Sequence, residues 1–144
     1  MSKTISYKGT LDMGLEDRIR LKTLKGKVGY KITKFQIIIT DHSTNTYELV
    51  AKITKKSDPN IGPTINFTDG ELMAVAYSDS HGDYQNGEII IFDNEIVNQD
   101  IFVNMTDAQG GSTPGNYYIE LESVALSDLE ATQLTLKSIR TVTQ

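Results

Sequence analysis

The sequence contains no cysteine and no tryptophan, and only 3 of its 144 residues are proline. Without cysteine the chain can form no disulfide, iron–sulfur cluster or cysteine zinc site, and it has no thiol nucleophile. No apolar run approaches the ~20 residues that a helix needs to cross a bilayer, and the N-terminal residues lack the apolar core of a signal peptide. We therefore expect a protein that is made in the cytoplasm and has no membrane partner.

A chain of this length suits one domain, which can bury ~68–70% of the surface of the unfolded chain without help from a metal or a disulfide. Residues 1–144 are predicted to form that single domain, with strands in residues 1–125 and a helical tail in residues 126–144.

Basic residues are scarce in the second half of the chain. Residues 1–72 contain 12 basic and 8 acidic residues, whereas residues 73–144 contain 2 and 11. The overall charge of −5 disfavours wholesale neutralisation of phosphates, so direct nucleic-acid binding is not expected. Two interpretations of the basic stretch stay open: a solvated strand face, or a basic edge that meets the acidic edge of another copy. Under the second interpretation, five basic residues are candidate assembly contacts: Arg18, Arg20, Lys22, Lys25 and Lys27.

Alternation of apolar and polar residues is the main pattern in residues 1–125, and it predicts strands with one buried face. Residues 72–77 form a continuous apolar run, which predicts a central strand buried on both faces. The apolar phase changes between Ile32 and Phe35, so this region must contain a bulge near Thr33 and Lys34 or consist of two strands. Residues 96–105 predict another strand.

Two polar segments predict connections between strands. Residues 78–87 are rich in turn-forming residues, and residues 107–115 contain three glycines and one proline. Eight or nine short strands without strand–helix alternation predict an all-β fold, an antiparallel β-sandwich or jelly roll with a short C-terminal helix.

The tail changes to a helical pattern. Ser127 and Glu130 have the spacing of a capping box, which predicts a helix from about residue 128 to residue 140. The segment 134–136 also fits a strand. Further candidate assembly contacts lie in this tail: Leu134, Leu136 and Ile139.

Catalytic motifs are missing from the sequence. It contains no nucleophile elbow, phosphate-binding loop or dinucleotide fingerprint, and His42 and His81 lack the spacing of zinc ligands. We therefore expect a protein that is not an enzyme and that uses no cofactor.

The least ordinary polar cluster is residues 79–83, where Asp79 and Asp83 flank a glycine. Carboxylates at this spacing could bind Ca²⁺, although the cluster lacks the ligand count of an EF-hand loop. A turn with solvated acids is the favoured interpretation. Tyr117 and Tyr118 must point to opposite faces of a strand, so one of them is available to a partner.

Three segments in the C-terminal part, residues 91–103, 116–122 and 131–140, resemble small virion structural proteins of marine bacteriophages, with a looser likeness at residues 17–22. The resemblance implies a non-enzymatic, jelly-roll-like protein present in many copies on or in an icosahedral capsid, where it contacts itself and other capsid proteins. It carries over no functional residues. The alternative is a carbohydrate-binding β-sandwich whose site uses exposed tyrosines and the loops at residues 79–87 and 107–115.

Overall fold

The computed structural model of the chain describes residues 3–23, 26–43, 46–58, 60–81, 84–92 and 95–143. These residues form eight strands and one helix. The elements are β1 Lys3–Leu11, β2 Leu15–Ile19, β3 Val28–Ile39, β4 Thr46–Thr54, β5 Leu72–His81, β6 Tyr84–Ile91, β7 Ile101–Asp107, β8 Gly115–Ala125 and α1 Asp128–Thr143.

The strands form two antiparallel sheets. Sheet A has the order β1-β8-β3, and sheet B has the order β2-β7-β4-β5-β6. The first four strands alternate between the sheets, which packs one sheet on the other. The predicted all-β antiparallel sandwich with a C-terminal helix is therefore confirmed. The jelly roll stays a prediction, because a complete one has its sixth strand beside its third, whereas among the described strands β6 pairs with β5 alone.

The core lies between the two sheets and is built from the apolar residues of one strand parity. Phe35, Ile119 and Leu121 of sheet A and Leu49 and Ile53 of sheet B are almost completely buried. Because side chains alternate across a strand, this parity also fixes which residues of the same strands face outward.

The predicted irregularity near Thr33 and Lys34 is a bulge within one strand. The register of β3 against β8 shifts between Ile32 and Lys34, and the Thr33 hydroxyl donates to the carbonyl of Glu120 over 3.2 Å. The extra residue returns the apolar side chains after it to the core face.

Two strand boundaries differ from the sequence prediction. The polar residues 78–81 and 84–87 belong to β5 and β6, and Ser80 pairs with Tyr47 on one side and with Gln85 on the other. The prediction of a long turn there was wrong, because a backbone ladder holds polar residues in a strand once their neighbours are paired. The last strand before the glycine-rich connection begins at Ile101, five residues later than predicted.

Sheet B is covered on its outer face by the long connection between β4 and β5. Lys52 is a buried residue whose ammonium group donates to the carbonyl of Thr64, and the amide of Asp58 donates to the Glu16 carboxylate. Val75 of β5 faces this connection and is buried, while its neighbour Ala76 is buried in the core. The prediction of a central strand buried on both faces is confirmed.

The capping box forms as predicted. The amide of Glu130 donates to the Ser127 hydroxyl, and the amide of Ser127 donates to the Glu130 carboxylate, both over 3.2 Å. These bonds satisfy two backbone groups at the start of α1, so the helical interpretation of the tail is confirmed.

Candidate functional site

The candidate assembly residue Arg18 is bound to an acid of its own chain. Its guanidinium donates to Asp100 Oδ2 from Nε over 2.7 Å, with Nη2 at 2.6 Å from the same oxygen. The other carboxylate oxygen accepts the backbone amides of Leu21 and Lys22 over 2.8 Å each. Arg18 and the backbone of Lys22 therefore fix the segment that follows β2.

Because of Asp100, the free energy of unfolding is expected to vary with pH in the acid range. Burial acts to raise the pKa of this carboxyl, but hydrogen bonds from the Lys22 amide, the Arg18 guanidinium and the Leu21 amide outweigh it and lower the pKa. The stabilisation is therefore complete above the pKa of the unfolded chain and is lost as the pH falls through the lower pKa of the folded state.

We expect Asp100→Asn to lower the free energy of unfolding by about 2 kcal/mol at pH 7, because it removes charge-assisted hydrogen bonds. The difference from the wild type should shrink as the pH falls below about 4. Urea unfolding at pH 7 and pH 3 measures both effects. Asp128→Asn is the control, because Lys27 also lowers the pKa of that carboxyl, which lies in solvent. An equal loss at both pH values would contradict this role of Asp100.

Five of the other eleven basic residues in the first half also have acidic partners in the same chain. These ion pairs are Lys27 with Asp128, Lys31 with Glu122, Lys34 with Glu120, Lys55 with Glu95 and Lys56 with Glu71. Arg20 is exposed and has no ion pair with the described residues, and Lys25 lies outside them. Folding therefore brings the two oppositely charged halves together within one molecule, which leaves less charge for contacts between copies.

The two candidate residues of the helix whose side chains are described have different environments. Leu134 is half-buried and lines a cavity of about 40 Å³ beneath α1, next to Asn98 and Val97. Leu136 is 48% exposed. The side chain of Ile139 lies outside the described residues. Of the two leucines, only Leu136 is therefore available to a partner.

The candidate Ca²⁺ loop is described only in part. Asp79 accepts a hydrogen bond from the Tyr77 hydroxyl over 2.7 Å, and this bond is the main reason why the pKa of Tyr77 rises to about 12. Asp83 lies outside the described residues. Within the part of the chain that the structure describes, no group of three or more His, Asp or Glu side chains could hold a metal.

One stretch of β3 is an unpaired sheet edge. The amide of Thr40 donates to the carbonyl of Pro114 over 3.1 Å, which shows that even-numbered residues here bond to β8. The amides and carbonyls of the odd-numbered residues between Phe35 and Ile39 therefore point away from β8. No described strand pairs with them. We call the backbone of residues 35–39 the open edge.

A groove runs between the open edge and β6. It has a volume of about 310 Å³ and is lined mainly by Gln36, Ile37 and Ile38 on one side and by Gly87 and Ile89 on the other. Ile38 and Ile89 are 56% and 46% exposed, respectively. We call this feature the edge groove.

The open edge lacks the features by which soluble proteins prevent strand pairing. It contains no charge, proline or glycine, and only Gln36 interrupts its apolar residues. Sequence reasoning missed Ile38 and Ile89 as surface residues. The uncharged, isoleucine-rich runs at 35–39 and 89–91 are evident in the sequence, but their position at the end of each sheet is not.

A second groove, of about 450 Å³, crosses the outer face of sheet A. It is lined by Thr10, Asn116 and Tyr118, together with Gln36 and Ile38. Tyr118 faces outward, and its hydroxyl donates to Glu120 over 2.9 Å. Of the two adjacent tyrosines, Tyr117 is the buried one, as expected from the alternation.

No protein-family model, curated protein or solved structure matches this chain. Within the described ranges, no helix is long and apolar enough to cross a membrane.

Proposed function

We propose that this chain is a non-enzymatic virion structural protein, a capsid or capsid-decoration subunit that is present in many copies. It is made in the host cytoplasm and assembles with itself and with other capsid proteins. The observation that supports self-assembly is the uncharged open edge beside an apolar groove. The virion setting rests on the resemblance of residues 91–103, 116–122 and 131–140.

The surface chemistry favours contacts between copies whose strength depends little on ionic strength. Several basic residues of the first half already pair with acids of their own chain, for example Lys31 with Glu122 and Lys34 with Glu120. An unpaired strand offers backbone hydrogen bonds and burial of isoleucine side chains, and neither depends strongly on ionic strength.

The mass of the protein in solution tests the proposal. Light scattering at increasing protein concentration, in about 50 mM and about 500 mM salt, should give a discrete oligomer or shell-like particle at both. Electron microscopy of the assembled fraction should then show rings or shells. A monomer at every concentration and salt would contradict self-assembly.

The groove on the outer face of sheet A favours a second candidate function, carbohydrate binding. A tyrosine ring beside amide and hydroxyl groups suits an apolar sugar face and its hydroxyls. Binding to a glycan array that is lost in Tyr118→Ala, with the oligomer unchanged, would support this function. Failure of the protein to bind any glycan on the array would contradict this function.

A further inference from the structure

We propose that the buried side chains of Asn104 and Thr106 bind water beneath the connection between β4 and β5. This water is enclosed between the connection and the outer face of sheet B. The site lies away from the open edge, so the inference is independent of the proposed function, and a result for one leaves the other unchanged.

Asn104 is completely buried, but its side-chain amide has no protein partner. Its exposed fraction is 0%, and neither Nδ2 nor Oδ1 forms a hydrogen bond with the described residues. The hydroxyl of Thr106 is also buried and unpaired. Because water bonds to these groups in the unfolded chain, burial without a partner costs free energy, and native proteins rarely leave such groups unpaired.

The two groups are close enough to share a water molecule. Asn104 and Thr106 are two positions apart on β7, so their side chains lie on the same face with Cα atoms ~7 Å apart. A water molecule with hydrogen bonds of ~2.8 Å joins polar atoms up to ~5.6 Å apart. The neighbour of Thr106 on β4 is Val50, which is buried and has no polar side-chain atom to offer.

The connection between β4 and β5 covers this position. Asn104 pairs with Glu16 of β2 on one side and with Lys52 of β4 on the other. Both neighbours hold the connection, because the amide of Asp58 donates to the Glu16 carboxylate over 2.8 Å and the Lys52 ammonium donates to the carbonyl of Thr64 over 3.0 Å. The chain between these two contacts therefore passes over Asn104.

The covering segment has few backbone donors for the Asn104 carbonyl. The amide of Asn60 donates to the Asp58 carboxylate over 2.9 Å, and Pro63 has no amide hydrogen. A small ligand must therefore supply the hydrogen bonds that the connection does not give.

The charges on both sides of Asn104 favour a neutral ligand. The Glu16 carboxylate would repel an anion, and the Lys52 ammonium would repel a cation. Since both ends of the Asn104 amide are unpaired, the ligand must accept a hydrogen bond from Nδ2 and donate one to Oδ1. Water does both, and buried waters in proteins bond to polar groups of this kind.

Magnetic relaxation dispersion of water oxygen-17 counts the water molecules that stay bound longer than the protein takes to tumble. Asn104→Leu keeps about the volume of the side chain and removes both polar atoms. We expect this variant to hold at least one long-lived water fewer per chain than the wild type. Asn116→Leu is the matched control, because it makes the same substitution in β8 of sheet A and should keep the wild-type number.

A high-resolution crystal structure of the wild type locates the water and decides the inference even if Asn104→Leu does not fold. We expect an ordered water within ~3.2 Å of both the Asn104 amide and the Thr106 hydroxyl. An Asn104 amide that bonds directly to Glu16 or Lys52, without water, would overturn the inference. Equal numbers of long-lived waters in the wild type and Asn104→Leu would also overturn it.

Discussion

Replacement of Asn98 by alanine is expected to lower the free energy of unfolding by about 3 kcal/mol. Asn98 is 1% exposed, and its amide nitrogen donates to the carbonyl of Gly26 over 3.0 Å and to the Thr135 hydroxyl over 3.1 Å. It therefore joins the segment before β3 to α1. The variant leaves the buried carbonyl of Gly26 without its donor and creates a small cavity.

The backbone of Gly26 packs closely against the side chain of Asn98. Its φ of 62° lies in the left-handed region, and a Cβ at this position would lie 2.9 Å from the Asn98 amide nitrogen. The segment therefore has little room to move toward another donor when Asn98 is lost.

Urea unfolding followed by circular dichroism measures this effect. Thr135→Val is the matched control, because it preserves the side-chain shape and removes only one of the acceptors, so it should cost less than about 1 kcal/mol. A loss below about 0.5 kcal/mol for Asn98→Ala would contradict the role of Asn98 in joining the helix to the sandwich.

The double variant Gln36→Lys with Ile38→Lys is expected to weaken association by about 1,000-fold. It puts two positive charges beside the open edge of each copy and removes an exposed isoleucine from the surface that a partner would cover. Repulsion and lost apolar burial together amount to about 4 kcal/mol. Light scattering over a dilution series measures the shift of the monomer–oligomer equilibrium.

The variant Gln36→Lys with Ile38→Glu is the matched control. It carries two charged substitutions at the same positions, but the two charges of each copy cancel, so the repulsion between copies is removed and part of the association should return. Both residues are exposed, so each variant should unfold close to the wild-type temperature. Equal masses for wild type and the dilysine variant would contradict pairing at the open edge.

The overall fold could be predicted because it depends on local patterns. The alternation in residues 46–54 gives a strand with one core face, and the phase change at Thr33 requires a bulge when the strand continues. The spacing of Ser127 and Glu130 is sufficient to predict the start of α1.

The candidate site could not be predicted because it depends on pairing between distant strands. The alternation shows that residues 35–39 form a strand but not that β8 is its only described neighbour. Charge counting showed the basic residues of the first half but not their acidic partners, because Arg18 and Asp100 are 82 positions apart. The edge groove likewise arises from the unequal widths of the two sheets.

Hydrogen exchange of the β3 amides at low and high protein concentration tests the open edge most directly. We expect the amides of Phe35, Ile37 and Ile39 to exchange at least ~10-fold more slowly at high concentration, because pairing gives them acceptors. The amides of Gln36 and Ile38 bond to β8 and serve as internal controls that stay protected at both concentrations. Exchange of the edge amides that does not change while the protein becomes oligomeric would contradict assembly through β3.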